Sequence, residues 1–190
     1  TLWLHLAEAL NRAKYPDVAF AILKDGINSK LLTDTTYIKE QSKILLTTTL
    51  PFLSVDGLLV FEPQPSNRNY GIHAHGCSDP SDGIGGTFSP YQFDTIVGMK
   101  IKQLEQTMGI VPTGTMADTI NAVEDLLCDE YAMEFAFEGN RFTDLTRLAR
   151  HKNEDNPDSS DLGSRWFKKK MKRVTSVDLS IEENWYLPLK

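Results

Sequence analysis

The run Leu126-Leu127-Cys128-Asp129-Glu130-Tyr131-Ala132-Met133-Glu134-Phe135-Ala136-Phe137-Glu138 constrains the fold more than any other stretch. Apolar residues fall on nearly every side of a helix drawn through it, which marks a helix buried in the middle of a domain. Yet Glu130, Glu134 and Glu138 recur at four-residue steps and share one face. Buried anions must be paired or neutralised. Gly139 and Asn140 can end the helix in the left-handed conformation, and Arg141, Arg147 and Arg150 follow. A returning helix would set those guanidiniums against the stripe. The expected structural charge network is therefore Glu130, Glu134, Glu138, Arg141 and Arg147, with Glu134 or Glu138 paired bidentately to Arg141 or Arg147. A catalytic reading of the glutamates fails on geometry. A glycosidase needs two carboxylates about 5 to 9.5 Å apart that flank the sugar, whereas these project side by side from one helix.

Helical periodicity dominates elsewhere. Trp3, Leu6, Ala9, Leu10 and Ala13 predict an amphipathic helix over residues 1–13. Pro16 and Asp17 start a second helix running to Lys24, with Val18, Ala19, Ile22 and Leu23 inward and Gly26 as its stop. The spacing of Leu6, Ala9, Tyr15, Ala19 and Leu23 resembles one tetratricopeptide-like unit, although no second repeat is found. A helix is expected around residues 36–48 and a short strand over 55–61. Further helices are expected over 93–108, closed by Gly109, and over 117–138. Residues 54–92 form a loop-rich segment dense in Gly, Pro, Ser, Asn and Asp, a kind of long connection that often carries function.

Composition excludes several classes. With 26 acidic against 20 basic residues in 190, the net charge of −6 argues against a general nucleic-acid binder. Two cysteines, Cys77 and Cys128, are too few for a disulfide framework. No segment reaches the roughly 20 apolar residues of a membrane-spanning helix. The chain starts at Thr1 directly inside a helical pattern, which reads as a piece of something longer.

In the loop-rich segment, Tyr70, His73 and Tyr91 offer flat faces for sugar rings and Arg68 a donor for hydroxyls. Arg68, Tyr70, His73 and Tyr91 are the candidate ligand residues. His73, His75, Cys77, Asp79 and Asp82 match no closed zinc motif, so neither a metal nor a cofactor is expected. The run Lys168-Lys169-Lys170-Met171-Lys172-Arg173, behind Trp166 and Phe167, reads as a solvated helix face anchored by the two aromatics.

The stretch Glu134-Phe135-Ala136-Phe137-Glu138-Gly139-Asn140-Arg141-Phe142-Thr143-Asp144-Leu145 resembles the signature of the RagB/SusD family, Glu-Phe-Ala-Phe-Glu-Gly, any residue, then Arg-Phe-Phe-Asp-Leu. Thr143 stands where the pattern has its second phenylalanine. Three more stretches resemble the family in the same order. These are Ala7 to Arg12 with the Tyr15-Pro16 turn, Gly71 to Cys77 with His75 in place of the usual arginine, and Asn184 to Pro188 near the close. The resemblance implies a mainly α fold: a tetratricopeptide-like hairpin (1–28), the loop-rich segment (54–92), the signature helices (93–151), then a basic helix and closing segment (152–190). It implies the C-terminal part of a non-catalytic, lipid-anchored protein of the outer-membrane surface, whose anchor lies outside this chain. Such a protein binds an oligosaccharide or other nutrient and delivers it to a TonB-dependent SusC-like transporter. The alternative is an α-helical protein-interaction module without a glycan site.

Overall fold

A computed structural model describes residues 2–25, 38–49, 93–156, 161–172 and 174–186. The protein is mainly helical, as expected, and no strand occurs among the described residues. Helices α1 (Leu2–Arg12) and α2 (Pro16–Asp25) come first, then the short α3 (Glu40–Ile44), which continues into a π-helical turn (Leu45–Thr49). The longer helices α4 (Phe93–Met108), α5 (Met116–Glu134), α6 (Arg141–Asp155) and α7 (Leu162–Met171) follow. A 3-10 turn (Glu182–Trp185) closes the described chain.

Helix α5 is the strut against which α1, α2, α4 and α6 pack, while α7 lies on α6 and touches α4. Its start is built locally. Thr115 caps the helix in a capping box with Asp118, whose carboxylate also accepts the backbone N–H groups of Thr113 at 2.8 Å and Gly114 at 2.6 Å. The apolar core gathers Leu4, Phe20, Ile22, Val123, Leu127, Tyr131, Leu148, Trp166, Phe167 and Trp185.

Several sequence expectations shift. The inward face of α1 is Leu4, Ala7, Glu8, Leu10 and Asn11, while Ala9 and Ala13 face solvent. The rotation has a polar cause: α5 supplies partners for Glu8 and Asn11, whose amide donates to Ile120 O at 3.0 Å. Helix α2 is buried on all sides from Pro16 to Leu23. Asp17, read as a helix-start residue, instead ties down the next described segment. It accepts Lys39 N at 2.8 Å and the Ser42 hydroxyl at 2.7 Å. The helix expected around 36–48 ends in a widened turn, where the hydroxyls of Thr47 and Thr48 donate back to the carbonyls of Lys43 and Ile44. Helix α5 stops at Glu134, one turn before the expected end, because Phe135 leaves helical geometry and Phe137 (φ 71°) and Gly139 (φ 79°) turn left-handed. The expected strand over 55–61 and the loop-rich segment 54–92 lie outside the described residues.

A charged core and a groove along helix 6

Three charge clusters hold the helices together. In the first, Glu8 on α1 receives Arg147 bidentately, Nε to Oε1 at 3.0 Å and Nη2 to Oε2 at 2.9 Å, and Tyr131 Oη donates to Oε2 at 2.7 Å. Arg147 also donates to Asp144 Oδ1 at 2.8 Å and lies over the Tyr131 ring, 5.6 Å from its centroid. Burial alone would raise the Glu8 pKa, but Arg147 and Tyr131 outweigh it and hold the carboxyl below its usual range. In the second, Lys152, fully buried on α6, places Nζ 2.7 Å from Glu124 Oε1 on α5 and 5.3 Å from the Trp166 ring. Arg12 reaches Asp155 at 2.9 Å beside it.

The third cluster joins α4, α5 and α7. Asp125 takes Lys100 at 3.1 Å, Lys170 at 2.9 Å and the Trp166 indole N–H at 2.8 Å, and Asp129 shares both lysines at 2.9 Å. Burial pushes the Asp125 carboxyl up. The surrounding Lys170, Lys100 and Lys152, with the Trp166 hydrogen bond, overcome that and bring it to about 2. Because this lies below the ordinary value of 3.8, Asp125 contributes stability that is complete well above pH 3.8 and is lost as the pH falls toward 2. The shift corresponds to about 2 kcal/mol. Urea unfolding of Asp125→Asn should therefore show about 2 kcal/mol less loss between pH 6 and pH 2 than the parent chain; equal pH slopes would contradict the assignment.

These contacts revise the expected network. Among the described residues neither Glu134 nor Glu138 forms an ion pair with Arg141 or Arg147. Glu138 lies beyond the end of α5 and is exposed, within 3.5 Å of the Asn140 amide. Glu130 is buried, and Arg141 donates to Cys128 O at 2.5 Å and to its Sγ at 3.3 Å. Burial pushes the Cys128 thiol up to about 11. The lysine run is not uniformly solvated either: Lys170 turns inward to Asp125 and Asp129, Lys168 pairs with Asp178 at 2.9 Å, and Lys169 donates to Thr107 O.

Sequence reasoning missed Glu8, Lys100, Glu124, Asp125 and Lys152. The signal for one pair was present, since Asp125 and Asp129 stand four residues apart on α5, but the lysines that pair with them come from two other helices, α4 and α7.

An open groove of about 670 Å³ runs along α6 beside this core. One wall is a stripe of α6 at three- and four-residue steps: Phe142, Thr143, Thr146, Arg147, Arg150, His151 and Glu154. The other wall is Trp185 and Tyr186. Trp185 is anchored by its indole N–H to Leu179 O at 2.8 Å and by an edge contact with Phe167 at 5.2 Å, so it serves as a fixed floor, while Tyr186 is half exposed. Arg150 lies 4.0 Å from Glu182, and both side chains are about half exposed. Burial and the nearby Arg12 lower the His151 pKa.

The candidate ligand residues Arg68, Tyr70, His73 and Tyr91 lie outside the described residues, as do His75, Cys77, Asp79 and Asp82. Among the described residues no group of three or more His, Cys, Asp or Glu side chains is placed to hold a metal ion, and no helix is long and apolar enough to cross a membrane. No curated protein and no solved structure matches the chain. The helices from α4 onward, which carry the groove and most of the charged core, are a different matter. From the first turn of α4 through α5, α6 and α7 to the close, residues 95–190 match the model of the SusD family, and the chain belongs to that family.

Proposed function

We propose that this chain is part of a non-catalytic nutrient-binding protein held at the outer-membrane surface by a lipid anchor. It captures an oligosaccharide or another nutrient and passes it to a TonB-dependent SusC-like transporter. The match to the SusD family over residues 95–190 carries this reading. The chemistry of the described residues supports a binding role. Their buried carboxylates are engaged by cations or hydrogen bonds in Glu8, Glu124 and Asp125, and Glu154 is the one carboxylate in the groove lining. Hydrolysis of a glycosidic bond ordinarily uses two carboxylates flanking the sugar.

The test is affinity purification of the full-length protein from its native membrane, followed by calorimetry of the purified protein against a glycan panel. A TonB-dependent transporter should co-purify and at least one glycan should bind. Neither result appearing would sink the proposal.

A second reading, a helical protein-interaction module without a glycan site, draws on one observation. Phe137, fully exposed and left-handed, projects just past the end of α5, which also carries the exposed Met133 in its last turn, apolar surface of a kind suited to a protein partner. That reading predicts co-purification of a protein with no glycan binding at all.

A further inference from the structure

The groove along α6 combines three properties that ligand sites share: a volume of about 670 Å³, flat aromatic surface, and a few polar groups converging from one side. Its arginines are answered by carboxylates. Arg147 is already answered by Glu8 and Asp144 behind it, and Arg150 has Glu182 at 4.0 Å. Glu154 adds a negative group at the far end. Such a lining has no surplus cation with which to select a carboxylate, sulfate or phosphate.

Donors and acceptors nevertheless alternate along the stripe. Arg150 is only loosely held in its exposed pair and can turn its N–H groups to a ligand. Thr146 spends its proton on Phe142 O at 2.8 Å and keeps its lone pairs as acceptors, and Thr143 is exposed. Tyr186 projects from a floor that Trp185 fixes, and the half-buried Phe142 packs on Phe167, with ring centroids 5.4 Å apart.

We infer that this groove binds a neutral saccharide, whose apolar ring face lies on Tyr186 and Phe142 and whose hydroxyls are met by Thr143, Thr146, Arg150 and Glu154. The inference rests on the nutrient-binding reading and assigns it a site on α6 and the closing turn. Thr143 is an exposed residue of the lining, where a larger ring would narrow the groove.

The experiment is calorimetry on the full-length protein with maltohexaose, cellohexaose, xylohexaose and mannohexaose, and with tetragalacturonate as the acidic arm. One neutral oligosaccharide should bind, and Thr143→Phe and Tyr186→Ala should each weaken it about tenfold or more, the effect of losing one central contact. Circular dichroism should stay unchanged, because both side chains are exposed; if Thr143→Phe fails to fold, Tyr186→Ala decides alone. Neutral-sugar binding that is intact in both variants overturns the groove and leaves the nutrient-binding proposal standing on another site. Binding of tetragalacturonate in preference to the neutral sugars overturns the ligand class. Absence of binding to all five overturns the inference, while co-purification of the transporter still reports separately on the wider function.

Discussion

Replacing Arg147 with methionine should destabilise the folded chain by about 3 kcal/mol in urea unfolding at pH 7, the lower end of the range for breaking one partner out of a buried ion pair. Methionine keeps the apolar stem of the arginine over Tyr131 but removes every N–H. Glu8, almost fully buried, would be left with Tyr131 Oη and with His151 Nδ1 at 3.7 Å, and Asp144 would lose its 2.8 Å contact. The lower end applies because Arg147 is about a third exposed and water can enter where its tip was. Two further results separate this mechanism from simple loss of packing. Glu8 is held below the usual carboxylate range in the parent, so the lock is fully present at neutral pH and fades as the pH falls through that range. The gap between parent and Arg147→Met should therefore narrow toward pH 4. The double variant Glu8→Met, Arg147→Met should recover part of the loss, since it leaves no uncompensated charge on Glu8. A single-variant change below about 0.5 kcal/mol, the norm for surface positions, would show that the pair is not structural.

The difference between the expected and observed partners of Arg147 shows what local sequence can carry. That a buried acidic helix requires a cation from a returning helix follows from desolvation alone, and the sequence marked the arginines of α6 for that task. The acid it holds is Glu8, 139 residues away on α1. Spacing along one helix contains no information about such a contact. In α1 itself the apolar positions Ala9 and Ala13 suggested one inward face, but the helix is rotated toward Glu8 and Asn11, because a satisfied buried polar group outweighs two alanines. Lys170 makes the same point from the other side. Inside a lysine run it cannot be told from Lys168 or Lys169, and only the approach of α7 to α5 brings it to Asp125 and Asp129. The end of α5 was misplaced by one turn because Phe137 adopts φ 71°, a conformation that bulky residues rarely accept and that composition does not announce. The helical class, by contrast, was readable throughout, since it depends on periodicity within each segment.

Gly163→Ala should be the second large effect, and it sets two principles against each other. Gly163 is the second residue of α7, where alanine ordinarily gains up to about 1 kcal/mol over glycine by restricting the unfolded chain and favouring helix. Here a Cβ would be driven into the Ala149 carbonyl oxygen, 2.6 Å from its carbon and 2.9 Å from Asn153 Oδ1. The obstruction is the backbone of α6, which cannot rotate aside, and Asn153 is already committed to Gly163 N at 2.7 Å. Relief requires α6 and α7 to separate, which would loosen Leu148, Ala149, Trp166 and Phe167 in the core and draw Lys170 and Trp166 away from Asp125. Overpacking of this kind costs about 1 to 3 kcal/mol and occasionally more. With a backbone atom as the obstacle the upper figure is expected, a net loss of about 3 kcal/mol and a melting temperature lower by roughly 6 to 12 °C. Gly98→Ala in α4 provides the matched control, because nothing lies within 4 Å of the added Cβ. There the propensity term acts alone, and the variant should be more stable than the parent by about 0.5 to 1 kcal/mol. Opposite signs at the two glycines would establish that α6 and α7 approach closely enough to exclude any side chain at 163, whereas stabilisation at both would mean that the two helices stand farther apart than this packing places them.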